Sequence, residues 1–309
     1  MKLRHYLLLG LAGSLVIGVA LGAFMLSRTP HFVRTPGLAG AYLAAQFAMS
    51  SNDLVQAGDY LELALENDPR DKDLLQNAMR TRLVGGQVPQ AVTIARELIE
   101  QTPANQQAGL LLAIDSFEAG RYARAGRYLD KMNKGPMARL LEPNIRLWMA
   151  VAKARDGDVQ ATMSQLRRTA AFTPISMLQV ASALELSGDL TGADEAYETG
   201  ARAGGVSYFF FVKAYGAYLE RKGDALGARK LYQDYHDTHL SHPYIMSGLA
   251  RLEASGPAPE LPRAVNVQMA YAFFAVAEVM ERENRLELAL AYAHLALFLE
   301  PESDIAMFM

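Results

Sequence analysis

Two stretches of the chain, YLELALENDP at 60–69 and YAHLALFLEP at 292–301, place small and apolar residues at nearly the same intervals and close on proline. Ala64, Leu61 and Ala57 lie five, eight and twelve residues before Pro69. The same offsets reach Ala296, Ala293 and Ala289 from Pro301, and Leu98, Ala95 and Ala91 from Pro103. Such spacings put the side chains on one stripe of an α-helix, and the proline, with no amide proton to donate, ends it. Before each stripe the pattern predicts another helix across a short Gly, Asn or Asp turn, as in SGD at 187–189 and KGD at 222–224. One such hairpin cannot bury its own apolar face, so a chain that repeats it is confined to a stacked array.

Repeats are predicted at 38–71, 72–105, 106–139, 143–176, 174–207, 209–242 and 270–303. A small residue recurs in the first helix at Ala45, Ala113, Ala150, Ala181, Gly216 and Ala277. Another recurs in the second at Ala57, Ala91, Ala125, Ala193, Ala228 and Ala289. The fourth repeat departs with Thr162 at the second position, and the third has its proline one residue early, at Pro136. A helix–turn–helix period near 34 residues with small residues at the helix crossings resembles the tetratricopeptide-repeat (TPR) family over most of the chain. That resemblance implies an all-α, right-handed superhelical solenoid. Residues 243–269 interrupt it, with a lone helix in YIMSGLARLEA and a proline-rich loop in SGPAPELPRA.

In that family the first helices line a concave groove that holds a peptide or helix. The resemblance therefore implies a partner-binding surface drawn from Tyr42, Gln46, Arg80, Leu110, Phe117, Glu118, Leu147, Arg155, Glu185, Phe210, Lys213, Glu220, Phe274, Glu278 and Arg282. Aromatics mixed with both signs of charge suit anchoring and register contacts. The Lys/Asn/Arg clamp by which one subclass holds chaperone tails is not found at matching positions.

Composition excludes several classes. Alanine and leucine dominate and alternating Val/Ile/Thr runs are scarce, as helices require. With no cysteine there is no disulfide, zinc finger, thiol catalysis or acylated lipoprotein cysteine. No phosphate-binding glycine loop, nucleophile elbow or H-E-x-x-H stretch occurs, so the expectation is a non-enzyme without a cofactor. The alternative is a metal-binding protein or metal-dependent enzyme at His236, His239 and His242, three of six histidines. These fall where a helix end favours histidine, and no metal is expected there.

Charge is uneven: eleven basic residues face four acidic ones in 121–174, against ten and eighteen in 175–309. Arg121, Arg124, Arg127, Lys131 and Lys134 form a basic stripe in the third repeat. An exposed helix face explains it, with contact to anionic lipid or an acidic protein as the functional alternative. Nucleic acid is not expected as a partner.

The N-terminus opens with Lys2 and Arg4 and then runs from 6 to 27 without a charged side chain, long enough for one transmembrane or signal-anchor helix. Cleavage after ALG at 20–22 is the alternative. The slight basic excess keeps the N-terminus cytoplasmic, and the resemblance in overall layout implies a single-pass protein of the bacterial inner membrane with a periplasmic repeat domain, or a secreted periplasmic one if the segment is cleaved. Residues 28–37 are read as a linker. At the other end MAYAFFAVAEVM, 269–280, is apolar nearly all round, and 304–309 read as the start of a further, incomplete repeat. A helix of that kind must be covered on every side, so either a longer array or self-association is expected.

Overall fold

The two helices of each hairpin are joined through a residue in the left-handed conformation. In the SGD and KGD turns, Gly188 and Gly223 take φ of +84° and +87°, a left-handed conformation that ends the preceding helix at low steric cost. The aspartates that follow start the next helix: Asp189 accepts from the Gly192 amide at 2.9 Å, and Asp224 from the Gly227 amide at 2.8 Å. Asn52 and Asn284 adopt the left-handed conformation at the corresponding turns of other hairpins.

The computed structural model describes residues 37–168, 173–239 and 242–303. These form fifteen α-helices and one short 3-10 turn. Six hairpins come first: α1 Leu38–Ser50 with α2 Leu54–Leu65, α3 Lys72–Val84 with α4 Val88–Gln101, and α5 Gln106–Glu118 with α6 Tyr122–Lys131. They continue with α7 Pro136–Ala152 and α8 Asp156–Arg167, α9 Thr173–Ser187 and α10 Leu190–Arg202, and α11 Phe209–Lys222 and α12 Ala225–Thr238. The 3-10 turn Gly205–Ser207 precedes α11. Helix α13, Pro243–Glu253, stands alone, and a linker over 254–264 leads to the last hairpin, α14 Val265–Arg282 and α15 Leu286–Leu299. The fold is all-α, an array of helix hairpins.

The stripe alanines sit where helices cross. Ala57, Ala91, Ala125, Ala193 and Ala228 are all fully buried, and Ala289 nearly so. Gly216 and Gly248 flank the buried ring of Tyr232, whose hydroxyl donates to Glu220 at 2.8 Å. Arg251 closes on the same carboxylate through two bonds of 2.8 and 2.7 Å, tying α11 to α13. Near the other end buried Arg82 joins α3 to α2 through Glu62 at 2.6 Å and Asp59 at 2.7 Å.

The fourth hairpin departs from its expected start. Pro136 does not end the third repeat. It occupies the first turn of α7, where its missing amide is no loss, and Pro143 lies inside that helix rather than at its beginning. The Asn144 side chain donates to the Leu140 carbonyl at 2.7 Å beside it.

The chain folds back at its C-terminal hairpin. The first helices α5, α7, α9 and α11 lie side by side as one wall, and α14 packs on α7, α9 and α11. Helix α15 packs on α3 and α4. The apolar circumference of MAYAFFAVAEVM is thereby covered from within the chain, and Phe273, Phe274, Val276 and Met280 are fully buried. This corrects the expectation that a longer array or a second copy must cover it. On α15, Leu286 and Leu290 remain exposed.

Among the described residues no helix is long and apolar enough to cross a membrane. The expected membrane segment at 6–27, and the partial repeat at 304–309, lie outside the described residues.

Candidate docking groove

The wall of first helices has a covered part and an open part. Over the covered part, Phe274 of α14 stacks on Phe210 of α11, the rings 5.2 Å apart and nearly parallel. Lys213 of α11 stands over the Tyr271 ring at 4.0 Å. Glu278 supplies a cap that α11 cannot make locally, since Tyr208 offers no side-chain bond at that position. Its carboxylate accepts from the Phe209 amide at 2.7 Å and the Phe210 amide at 3.3 Å, from 69 and 68 residues away. A helix N-terminus presents unpaired amides and a partial positive charge, which a carboxylate complements. Arg282 holds the same carboxylate at 3.2 Å and donates to the Ser207 carbonyl at 2.6 Å. Burial nevertheless outweighs these donors and pushes the Glu278 carboxyl above its ordinary range.

The residues expected to line the groove therefore divide. Phe274, Glu278 and Arg282 belong to the helix that fills the wall, not to the wall. Leu147, Phe210 and Lys213 are buried, and Phe117 is sealed against Tyr122, so none is presented for a partner. Glu185 is bound at both oxygens by Arg221, at 2.6 and 3.0 Å, and Glu220 is held by Arg251 and Tyr232. Arg155 is exposed and reaches Asp158 at 3.7 Å. Tyr42, Gln46, Arg80 and Glu118 are also exposed. Leu110 is buried as a side chain but lines an open cavity.

That cavity, about 260 Å³, lies between α3, α5 and α15. Met79, Leu83, Leu110 and Leu111 form one side, and Leu288, Tyr292 and Leu295 the other. Arg80, Gln107 and Glu287 contribute the polar groups. Burial raises the Tyr292 hydroxyl to about 12, so it stays protonated through the neutral range. Beside the cavity, His294 bonds through Nδ1 to the Leu83 carbonyl at 3.2 Å, joining α15 to α3. Sequence reasoning did not find Tyr292, Leu295 or His294 as site residues. The available signal was His294 itself, the only polar residue between Glu287 and Glu300 on a helix otherwise apolar.

The three clustered histidines are not brought to one point. His239 stacks on Tyr235, with its Nδ1 2.8 Å from the Thr238 hydroxyl. His242 stacks on Phe209 at 3.6 Å, and its Nδ1 accepts from the Tyr244 amide. His236 keeps a buried Nδ1 without a hydrogen-bond partner. Among the described residues no group of three or more His, Asp or Glu side chains could hold a metal ion.

The basic stripe is partly engaged as well. Helix α6 ends at Lys131, so Lys134 lies beyond it, bonded to Glu142. Arg121 pairs with Asp115 at 3.3 Å and Arg124 donates to the Tyr128 hydroxyl, leaving Arg127 and Lys131 exposed.

The described chain is thus an all-α hairpin array whose last hairpin occupies part of its own inner wall. Among solved structures it is similar to the TPR domain of P58(IPK), with 11% identity, a TM-score of 0.31, and coverage of 87% of this chain and 75% of that one. No family model matches the chain, and no curated protein sequence does.

Proposed function

We propose that the protein is a non-catalytic scaffold of tetratricopeptide type that holds a segment of a partner protein against the open, N-terminal part of its first-helix wall. The cavity between α3, α5 and α15 carries this reading. It combines an apolar interior able to take an anchoring side chain with the exposed guanidinium of Arg80 among its lining groups. Arg80 and Leu110 are two of the positions at which the family resemblance places partner contacts. Tyr42 and Gln46, exposed on α1, are two more of those positions. The partner segment supplies an apolar side chain to the cavity and an acidic group to Arg80. In this reading residues 6–27 anchor the scaffold in a bacterial inner membrane with the repeats in the periplasm.

A photo-cross-linking side chain at Gln107, exposed beside the cavity, tests the idea in cells expressing the full chain, with Lys230 on α12 as a control position. One envelope protein should be captured from Gln107 and not from Lys230, and Arg80→Glu should abolish that product while leaving the melting temperature unchanged. Capture of the same protein from both positions, or capture that survives Arg80→Glu, would sink the proposal.

A further inference from the structure

Alone among the described helices, α1 carries no charged side chain, and none occurs from Thr35 to Asn52. A helix at the surface ordinarily sets charged and polar groups on the face opposite its core stripe. Here the outermost side chains are apolar. Ala41, Ala45 and Ala48 are buried, and helical periodicity puts Leu43 and Phe47, one turn apart, on the other side of the helix. These two are 68% and 74% exposed. Leu38 at the start of α1 and Val55 near the start of α2 are exposed as well. The pair of Leu43 and Phe47 leaves Tyr42 and Gln46 to one side.

The layout of the chain favours a lipid surface over a second copy as the cover. The uncharged run 6–27 is separated from α1 by ten residues, Arg28 to Gly37, which reach at most about 35 Å when fully extended. They include Arg28 and Arg34 and no acidic side chain, which suits anionic headgroups. With 6–27 in a bilayer, α1 is tethered beside the lipid, and a contact too weak to hold in free solution becomes effectively intramolecular. No ionic group on this helix opposes the transfer by its desolvation. A second copy would need more area. The 13 residues of α1 extend about 20 Å, and a strip about 10 Å wide along them gives about 200 Å², against about 800 Å² per partner in a stable complex.

We infer that the outer edge of α1, Leu43 and Phe47, docks at the headgroup–acyl boundary of the membrane, an interfacial contact that holds the start of the array against the lipid surface. The inference rests on the reading of residues 6–27 as an anchor. It uses none of the residues that line the cavity between α3, α5 and α15.

The test reconstitutes the full chain into vesicles of phosphatidylcholine and phosphatidylglycerol. Flotation on a density gradient reads the anchor by itself. In the floated fraction, Phe47→Trp and, separately, Leu43→Trp report where α1 sits, because the one native tryptophan, Trp148, is fully buried and supplies a constant background. Both substitutions keep a large apolar side chain at an exposed position. Phosphatidylcholine brominated near the headgroup end of its acyl chains should cut the emission added by either one about twofold or more, since an interfacial helix lies at that depth. Lys230→Trp on α12 should keep its added emission. Floated chain in which neither added tryptophan is quenched would overturn the inference and leave the anchor standing. Equal quenching at Lys230→Trp would overturn it too. Chain that does not float removes the anchor and the inference with it. A blue shift at Phe47→Trp that grows with protein concentration in detergent, with no quenching in vesicles, would assign this edge to a second copy instead.

Discussion

The covered and open parts of the first-helix wall are built from the same repeated helix yet meet opposite surroundings. Over α7, α9 and α11 the wall receives α14, and the side chains facing inward become core. Toward the N-terminus, Tyr42 on α1 is 37% exposed and Arg80 on α3 is exposed as well. The difference comes from one insertion. Helix α13 and the linker over 254–264 carry the chain from the end of the sixth hairpin back across the wall, so that the seventh can pack inside the array instead of extending it. A groove in a repeat protein is thus not free merely because its walls repeat.

The largest effect should come from removing the plug's central ring. Phe274 is fully buried and stacks on Phe210, so Phe274→Ala leaves a cavity at the junction of α14 with the wall. A loss of about 3–5 kcal/mol is expected by chemical denaturation. If the loss is below about 1 kcal/mol, near the average for any substitution, α14 is not part of the core and the contrast collapses. A smaller cost, about 1–3 kcal/mol, is expected for Gly216→Ala, because the added methyl group would fall inside the Tyr232 ring at the crossing of α11 and α12. Gly120→Ala is a useful contrast, since open space surrounds that position and its cost arises from its φ of +68° alone.

The hairpin pattern was legible in the sequence because the fold depends on spacing. Ala57, Ala91 and Ala228 announce helix crossings by their intervals, and SGD and KGD announce turns by their chemistry. Pro136 was ambiguous because proline serves equally well just after one helix and in the first turn of the next. The groove was legible only as a face. Periodicity places Leu147, Phe210 and Lys213 on the inner side of their helices, but nothing local states what lies opposite. The apolar circumference of α14 did state that a cover was needed. Identifying the cover required the tertiary path of the linker, since the packing partners are more than sixty residues away, as Glu278 and Phe209 show.

Glu278 sharpens the comparison through pH. Its folded-state pKa is raised, chiefly by burial, so the folded chain binds this proton more tightly than the unfolded chain. The resulting stability is fully present below the unfolded carboxylate pKa and is lost as pH rises through the higher folded value. Glu278→Gln removes the titration while keeping an acceptor for the Phe209 amide. The stability of the original chain relative to this variant should therefore decline as pH rises from about 4 toward 7, measured by denaturant unfolding at each pH. A difference that instead grows with pH would mean that the α11 amides and Arg282 outweigh burial.

The smallest effect on stability is expected on the open part of the wall, and there its smallness is the informative result. Tyr42→Ala and Gln46→Ala alter side chains at the surface of α1, away from buried Ala41 and Ala45 on the same helix. Both should stay within about 0.5 kcal/mol of the original chain, as surface substitutions generally do. Phe210→Ala, at another of the positions the family resemblance assigns to the groove but beneath α14, should behave like Phe274→Ala instead. If the open part of the wall receives a partner, the two surface variants weaken capture from Gln107 while the isolated protein remains as stable as before. Should Tyr42→Ala cost as much as Phe210→Ala, the N-terminal part of the wall would also be covered, and the open and filled regions would not be distinct.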